Sequence, residues 1–140
     1  MAYWLLKTEP GDFSWDDQVK KGAKGEVWTG VRNFIARKHL KEMKKGDRVF
    51  FYHTGDEKQV VGIAEILNEA HPDPTAAKGE PWVAVDLKAV EPLPKPVTLA
   101  TIKAEKSLKE MALVKYARLS VQPVTAAEWK AVCKMGGVKG

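Results

Sequence analysis

Short apolar segments, each bounded by glycine, proline or charged residues, limit this chain to a fold built around strands. Residues 82–90 alternate apolar and polar side chains, which is the pattern of a strand with one buried face. No stretch approaches the roughly 18 consecutive apolar residues that a membrane-spanning helix requires. Four other segments have the length and apolar content of strands, namely residues 3–8, 47–54, 60–67 and 118–124.

Helices are predicted between these strands. Ser14 is expected to cap a helix whose first turn carries two aspartates. Residues 31–43 are predicted to form a helix that ends in two lysines and a glycine. Thr125 and Glu128 form a capping box for a last helix, which reaches about Met135. Two short helices are predicted at residues 98–103 and 108–113.

The predicted breaks between these elements differ in kind. Residues 55–58 are expected to form the turn of a hairpin between two strands. Residues 71–75, which contain two prolines, interrupt the strand pattern. An extended connector is predicted where prolines occur at alternate positions, at Pro92, Pro94 and Pro96.

Strands separated by helical segments of unequal length are typical of an α+β fold with a mostly antiparallel, curled sheet. Five strands around an apolar interior are expected to close into a small barrel. The chain has 140 residues, the usual length of one domain, and can bury roughly two-thirds of its unfolded surface. We therefore predict a single domain over residues 1–140.

The composition is that of an ordinary globular protein, with 44% hydrophobic and 29% charged residues. Cys133 is the only cysteine, which excludes an intrachain disulfide and a cysteine-rich metal site. The first residues lack the basic region and the long apolar run of a secretory signal. These features favour a cytoplasmic protein, or a nuclear one in a eukaryote, and no membrane partner.

Positive charge is concentrated in one segment. Residues 18–48 contain ten basic and three acidic residues, whereas the rest of the chain contains 13 basic and 15 acidic residues. A basic zone on a mildly acidic body is typical of a surface that binds a polyanion. A solvated helix face would give the same pattern without any function, so both interpretations stand at this point.

Sequence motifs of several common sites are absent. The chain has no phosphate-binding or dinucleotide-binding glycine motif, no zinc-protease motif and no nucleophile elbow. The three histidines, His39, His53 and His71, are too far apart in sequence to suggest metal ligands. We therefore expect no cofactor, no metal ion and no catalytic group of these classes.

Residues 28–33 combine an aromatic ring with hydrogen-bond donors. Trp28 precedes a glycine near the predicted helix start, so its indole could stack on a base while free backbone amides meet a phosphate or a base edge. Arg32 and Asn33 supply further donors. The alternative is that Trp28 belongs to the core and Asn33 is an ordinary residue of the first helical turn.

Two strand ends allow a structural or a functional interpretation. Tyr52 and His53 are adjacent on a strand, so one should point inward and the other outward. They form either a core tyrosine beside a surface histidine or a second wall of a pocket. Arg118, Ser120 and Gln122 share one strand face, which is either a polar outer face or a polar lining.

Six short motifs, which occur together and in a fixed order, give the sequence a resemblance to a known family. The chain contains, in order, WLLKTEP (4–10), W-x-G-V-R-N-x-x-A-R (28–37), GD (46–47), FYHT (51–54), HPDPT (71–75) and RLSVQPV (118–124). Together they resemble the EVE domain family from about residue 2 to residue 135. The resemblance implies a PUA-like, mostly antiparallel pseudobarrel of five or six strands with flanking helices, related to YTH and ASCH domains.

The resemblance also implies a binding pocket for a modified base. Trp28 of the W-x-G-V-R-N motif would line that pocket, and the end of the first strand would lie beside it. Thr8 and Thr54 stand where the family usually has serine, and the added methyl group of each would narrow the pocket. The implied ligand-binding residues are Lys7, Thr8, Glu9, Ser14, Trp28, Thr29, Gly30, Val31, Arg32, Asn33, Tyr52 and His53, and the implied phosphate contacts are Arg37, Lys38 and Arg118.

The resulting hypothesis is a module that binds DNA or RNA and accommodates a flipped modified base, such as a modified cytosine, without catalysis. The first alternative is a nucleoside amidohydrolase of the ASCH type that uses Lys7, Thr8 and Glu9. Adjacent residues of a strand point to opposite faces, so these three side chains are not expected to converge. The second alternative is a protein-interaction module, which predicts no ordered pocket and no affinity for nucleic acid.

Overall fold

The computed structural model describes residues 1–139, which contain one mixed sheet of six strands. The strands are β1 (Tyr3–Thr8), β2 (Glu26–Val27), β3 (Arg48–His53), β4 (Gln59–Pro72), β5 (Val83–Thr98) and β6 (Val121–Val124). Their order in the sheet is β2-β5-β4-β3-β1-β6. Only the β1–β3 pair is parallel among these residues, and the other neighbours are antiparallel.

The α+β class and the six-stranded, mostly antiparallel sheet with flanking helices are confirmed. Complete closure into a barrel does not occur, because the described residues of β2 and β6 do not pair with each other. The edge strand β2 contains only two residues, Glu26 and Val27. A strand this short leaves most of β5 unpaired on that side, so the sheet stays open.

Five α-helices lie within the described residues: α1 (Trp15–Lys20), α2 (Phe34–Glu42), α3 (Leu99–Ala104), α4 (Ala112–Lys115) and α5 (Ala126–Gly136). The predicted caps of α1 and α5 are confirmed. Ser14 and Asp17 form a capping box at α1, and Thr125 and Glu128 form one at α5. Each box satisfies backbone N–H groups that the first helical turn leaves without a partner.

Several predicted boundaries are wrong, each for a local reason. Helix α2 begins three residues later than predicted, because Asn33 is extended and caps it. The prolines predicted in a connector lie inside β5, where only β4 pairs with the strand, so their missing N–H groups are tolerated. Residues 108–113 are not one helix, since a 3-10 turn ends at Leu108 and α4 begins at Ala112.

The core forms two clusters, one on each face of the sheet. Alternation along β1 places Trp4 and Leu6 in the first cluster and Leu5 in the second. Trp15 of α1 lies so close to Gly62 that a Cβ there would be 2.6 Å from the indole ring. Among residues 1–139, no helix combines the length and apolar character needed to cross a bilayer.

Candidate functional site

A cleft of about 470 Å³ opens where β1 ends beside β2. This volume lies within the range of ligand-binding pockets. The chain turns sharply after β1, since the Glu9 carbonyl accepts hydrogen bonds from the amides of Asp12 (2.9 Å) and Phe13 (3.0 Å). The turn returns the chain over the strand end and forms one wall. The cleft is lined by Lys7, Thr8, Glu9, Asp12, Phe13, Glu26, Val27, Trp28 and Thr29.

Trp28 is a core residue that also borders this cleft. Only 8% of its surface is exposed. Its ring meets Phe51 edge-on at 5.4 Å and Phe13 edge-on at 6.1 Å between ring centroids. Its amide donates to the Val85 carbonyl at 2.8 Å, which extends the pairing of β2 with β5. Trp28 is therefore both a core residue and a wall of the cleft, so the two interpretations are compatible.

Lys7, Thr8 and Glu9 all border the cleft, but the ends of their side chains do not converge, as the strand alternation predicted. Each side chain is held by a different backbone group. The Lys7 Nζ donates to the Ala117 carbonyl at 2.8 Å, the Thr8 hydroxyl donates to the Phe13 carbonyl at 2.9 Å, and the Glu9 Oε1 accepts from the Gly11 amide at 3.2 Å.

The charge lining the cleft is mostly negative. Three acidic residues, Glu9, Asp12 and Glu26, and one basic residue, Lys7, border the cleft. Glu26 pairs with Lys21 at 3.2 Å. Burial lowers the pKa of Lys7 from its ordinary value. This excess of acidic residues suits a neutral ligand better than a phosphate.

The loop that carries Trp28 is held by one buried carboxylate, that of Asp73. Its Oδ2 accepts from the Gly30 amide and the Arg32 Nη1, both at 2.9 Å. Its Oδ1 accepts from the amide and the hydroxyl of Thr75, both at 2.7 Å. Burial alone would raise the pKa of Asp73, but hydrogen bonds from Thr75, Arg32 and Gly30 outweigh it and hold that pKa well below its ordinary range.

The expectation of free amides after Trp28 is wrong for three of them. The Gly30 amide is bound by Asp73, as described, and the amides of Ile35 and Ala36 donate to the Asn33 Oδ1 at 2.9 and 3.0 Å. Helix α2 begins at Phe34, so Trp28 does not lie at a helix N-terminus. Val31 is buried in the first core cluster.

Tyr52 and His53 are both buried, so the expectation of a surface residue in this pair is wrong. Strand β3 lies inside the sheet and is covered on both faces. The His53 Nε2 accepts from the Trp15 amide at 3.0 Å, which leaves the proton on Nδ1. That Nδ1 is 2.9 Å from the Glu57 carboxylate. His53 and Ser14 therefore fix α1 rather than line the cleft.

Tyr52 borders a second cavity of about 320 Å³ on the other side of the β1 end. Lys7 lines both cavities and lies 5.8 Å from the centre of the Tyr52 ring. Burial raises the pKa of Tyr52. Thr54, Lys58 and Lys103 also line this cavity, so its charge is opposite to that of the first.

The predicted phosphate contacts lie outside the cleft. Arg118 lines a third, mostly apolar groove of about 680 Å³, together with Asn33, Ile35, His39 and Tyr116. The strand predicted over residues 118–124 begins only at Val121, so Arg118 lies in a turn before it. Gln122 of β6 is buried and donates to the carbonyls of Tyr116 and Leu119, so this segment does not form a wall of the cleft. The Arg37 Nε donates to the Pro81 carbonyl at 2.6 Å, and Lys38 is exposed on α2.

Sequence reasoning missed four residues that line the cleft, Asp12, Phe13, Glu26 and Val27. It also missed Asp73, although the Asp-Pro-Thr sequence after β4 is typical of a turn in which aspartate binds the following amides. Within residues 1–139, no group of three or more His, Cys, Asp or Glu side chains is arranged to hold a metal ion.

Comparisons with known proteins add relatives to this geometry. Residues 2–135 match the family model described as EVE domain. Human thymocyte nuclear protein 1 is 32% identical over 165 aligned positions, which cover 96% of this chain and 73% of the human protein. A protein of Rhodopseudomonas palustris solved by NMR is 63% identical with a TM-score of 0.92, over 98% of this chain and 94% of that one.

Two similar structures contain nucleic acid. The crystal structure of human THYN1 in complex with 5-methylcytosine-containing DNA is 31% identical with a TM-score of 0.90, and the match covers 100% of both chains. The YTH domain of Zygosaccharomyces rouxii MRB1 in complex with N6-methyladenosine RNA is 16% identical with a TM-score of 0.58, over 96% of this chain and 86% of that one. The second likeness shows a shared fold.

Proposed function

Because the chain belongs to the EVE domain family, we propose that it binds nucleic acid and accommodates a flipped, modified base in the cleft between β1 and β2. The observation that carries this proposal is a cleft bordered by Trp28 and Phe13 and rich in carboxylate acceptors, in a chain with a strongly basic segment. A relative of the same fold, human THYN1, forms a complex with 5-methylcytosine-containing DNA.

The cleft suits a base that carries an exocyclic amino group. Carboxylates accept hydrogen bonds from the amino group of cytosine. Glu9 and Asp12 are the acceptors we propose, because both oxygens of Glu26 already have partners in the Val27 amide and Lys21. Thr29 and Thr8 border the same space. Moving a base out of the stack costs a few kcal/mol, and stacking on an aromatic side chain returns about 1–3 kcal/mol.

The predicted binding residues divide by role under this proposal. Lys7, Thr8, Glu9, Trp28 and Thr29 border the cleft and contact the base. The others position the walls. Gly30, Val31, Arg32 and Asn33 hold the loop of residues 28–33, which carries Trp28 and is called the recognition loop. Ser14 and His53 hold α1, and Tyr52 supports Lys7.

The nucleic-acid backbone would lie outside the cleft, because the carboxylates repel phosphate. Arg37, Lys38 and Arg118 remain the proposed phosphate contacts, with the other basic residues of the 18–48 segment around them. Such contacts release counterions, so affinity should fall as the salt concentration rises.

The test compares binding of matched oligonucleotides with and without a modified base, by fluorescence anisotropy at fixed salt. We expect tighter binding of one modified series, with the preference reduced in Glu9→Gln and Asp12→Asn variants. Glu128→Gln, at the α5 cap, changes the same kind of charge far from the cleft and should keep the preference. Equal binding of modified and plain oligonucleotides, across 5-methylcytosine and N6-methyladenine in DNA and RNA, would overturn the proposal.

An amidohydrolase remains the second candidate, because Lys7, Thr8 and Glu9 all border the cleft. In the described residues, however, no hydrogen bond or ion pair joins two of these side chains, as nucleophile activation would require. Incubation with acylated nucleosides decides the matter: turnover that a Lys7→Ala variant abolishes would favour the enzyme, and no turnover favours the binding module.

We also propose that residues 1–140 form one such domain, of which Gly140 lies outside the described residues. The family match over residues 2–135 and the continuous sheet support this. The proposed site of action is the cytoplasm, or the nucleus in a eukaryotic cell, where its nucleic-acid partner would be found.

A further inference from the structure

Two aromatic rings and a guanidinium group lie together on the surface beside the recognition loop. The Phe34 and Trp82 rings are 4.9 Å apart between centroids, with an interplanar angle of 38°. The Arg32 guanidinium lies 5.8 Å from the centre of the Trp82 ring. We call these three residues the aromatic platform.

Packing in the hydrophobic core does not account for the platform, because its apolar side chains are at least partly exposed to solvent. Phe34, the first residue of α2, is 65% exposed, and the adjacent Ile35 is 59% exposed. Trp82 is only partly buried. Single exposed apolar residues are common, but contiguous ones beside cations mark an interaction surface.

The platform is held in place before any ligand binds. Asp73 fixes Arg32 at 2.9 Å, and the Asp73 amide donates to the Trp82 carbonyl at 3.0 Å. The Arg37 Nε donates to the Pro81 carbonyl at 2.6 Å, which ties α2 to the residue before Trp82. A ligand that stacks here therefore loses little side-chain freedom on binding.

The charge around the platform fits a polyanion. Arg32 and Arg37 flank it, and Lys38 follows Phe34 by four residues, so the two lie on the same face of α2. Asp73 is buried under Arg32 and saturated with hydrogen bonds. Glu80, in the loop between β4 and β5, accepts a hydrogen bond from the Ala77 amide at 2.6 Å. Rings among cations fit nucleic-acid bases and phosphates rather than an apolar peptide.

The platform is connected to the cleft by a short stretch of chain. Thr29 lines the cleft, and Phe34 is five residues later, at most about 17 Å away in a fully extended chain. We propose that the platform is a second stacking site, on which an unpaired base flanking the recognised base lies against Phe34 while its phosphates face Arg32 and Lys38. This inference rests on the proposed function and adds a contact that does not distinguish one base from another.

The experiment uses the full chain with single-stranded oligonucleotides that carry the modified base and 2-aminopurine as a neighbour. The fluorescence of 2-aminopurine reports its stacking. With the unchanged protein we expect a fluorescence change on binding. Phe34→Leu should abolish that change and weaken binding by about 5- to 150-fold, the range that stacking on one aromatic side chain represents. Phe34→Trp should restore both, and Val90→Ala, at an exposed position on β5, should alter neither.

The preference for modified over plain oligonucleotides separates the two proposals. If the unchanged protein shows no such preference, the proposed function fails and this inference fails with it. If the preference is present but Phe34→Leu keeps both the affinity and the 2-aminopurine signal, the platform is not a stacking site and the proposed function stands. Loss of affinity in Phe34→Leu with the preference retained supports the platform.

Discussion

The Asp73 carboxylate and the Gly30 amide, 43 positions apart in the sequence, are joined by a hydrogen bond of 2.9 Å. The same oxygen binds Arg32. The loop that carries Trp28 is thereby attached to the turn after β4. Replacement of this one buried group should consequently affect the stability of the fold and the shape of the cleft together.

For Asp73→Asn we expect a loss of about 1–3 kcal/mol in the free energy of unfolding, because a buried acceptor of charge-assisted hydrogen bonds is weakened. Urea denaturation measures this loss, and Asp56→Asn in the exposed hairpin turn is the control. A pH series adds a second readout. Since the folded-state pKa of Asp73 is depressed, its stabilisation is present above about pH 4 and is lost as the pH falls through the folded pKa. The free energy of unfolding of Asp73→Asn should fall less at acid pH than that of the unchanged protein. An equal fall in both proteins would contradict this role of Asp73.

The stabilisation from the His71–Asp86 pair should depend on pH in the opposite direction to that from Asp73. The hydrogen bond to Asp86, 2.8 Å from the His71 Nε2, raises the pKa of His71 above its ordinary value. Any stabilisation from the pair is therefore complete below about pH 6.5 and lost as the pH rises through the raised pKa. NMR titration of the His71 ring should give a raised midpoint that Asp86→Asn lowers. A midpoint insensitive to that substitution would show that the pair does not form in solution.

Gly62→Ala should destabilise the fold by about 1–3 kcal/mol, the usual effect of overpacking a core. The new Cβ would lie 2.6 Å from carbons of the Trp15 indole, so α1 must shift. Gly11→Ala is a matched control, because its nearest neighbour would be the Glu9 Oε1 at 3.6 Å. Thermal or urea unfolding of the two variants should differ clearly, and equal stabilities would argue against this packing of α1.

Trp28→Ala should lose about 3–5 kcal/mol of stability, since it removes a buried aromatic residue. A binding defect in that variant would therefore mix unfolding with loss of the cleft wall. Trp28→Phe keeps an aromatic ring and should stay folded while weakening the binding of a modified oligonucleotide. Circular dichroism checks the fold and anisotropy checks the affinity; full affinity in a folded Trp28→Phe variant would indicate that the indole makes little contact with the base.

Salt dependence should locate the backbone contacts. Removing one phosphate contact reduces the slope of log K against log salt by about 1, so Lys38→Gln should show this change with the base preference intact. Lys95→Gln, on an exposed part of β5, should leave the slope unchanged. Identical slopes for both variants would remove Lys38 from the interface.

Local signals in the sequence predicted much of the fold. The capping boxes at Ser14 and Thr125, the first strand and the hairpin after β3 follow from interactions within a few residues, which a sequence displays directly. Strand β2 could not be found in this way, because two residues are too few to show a periodicity.

The cleft was harder to predict because its walls come from different parts of the chain. Trp28 and the end of β1 belong to recognisable motifs, whereas Asp12 and Phe13 enter only because a turn folds back onto the Glu9 carbonyl. The hydrogen bond between Asp73 and Gly30 depends on the long β4–β5 hairpin, and no local pattern indicates that two such distant residues meet.

The place of β1 in the sheet has a consequence for synthesis on the ribosome. Strand β1 is the first to emerge, yet one of its edges pairs with β6, where Tyr3 is aligned with Val124. That edge stays open until β6 has been translated, more than 110 residues later. Contacts between such distant positions slow folding and expose nascent strands to aggregation. The cleft at the end of β1 should therefore be completed only after β6 has emerged, and nascent chains should depend on chaperones more than a fold whose first strand pairs with its neighbours in sequence.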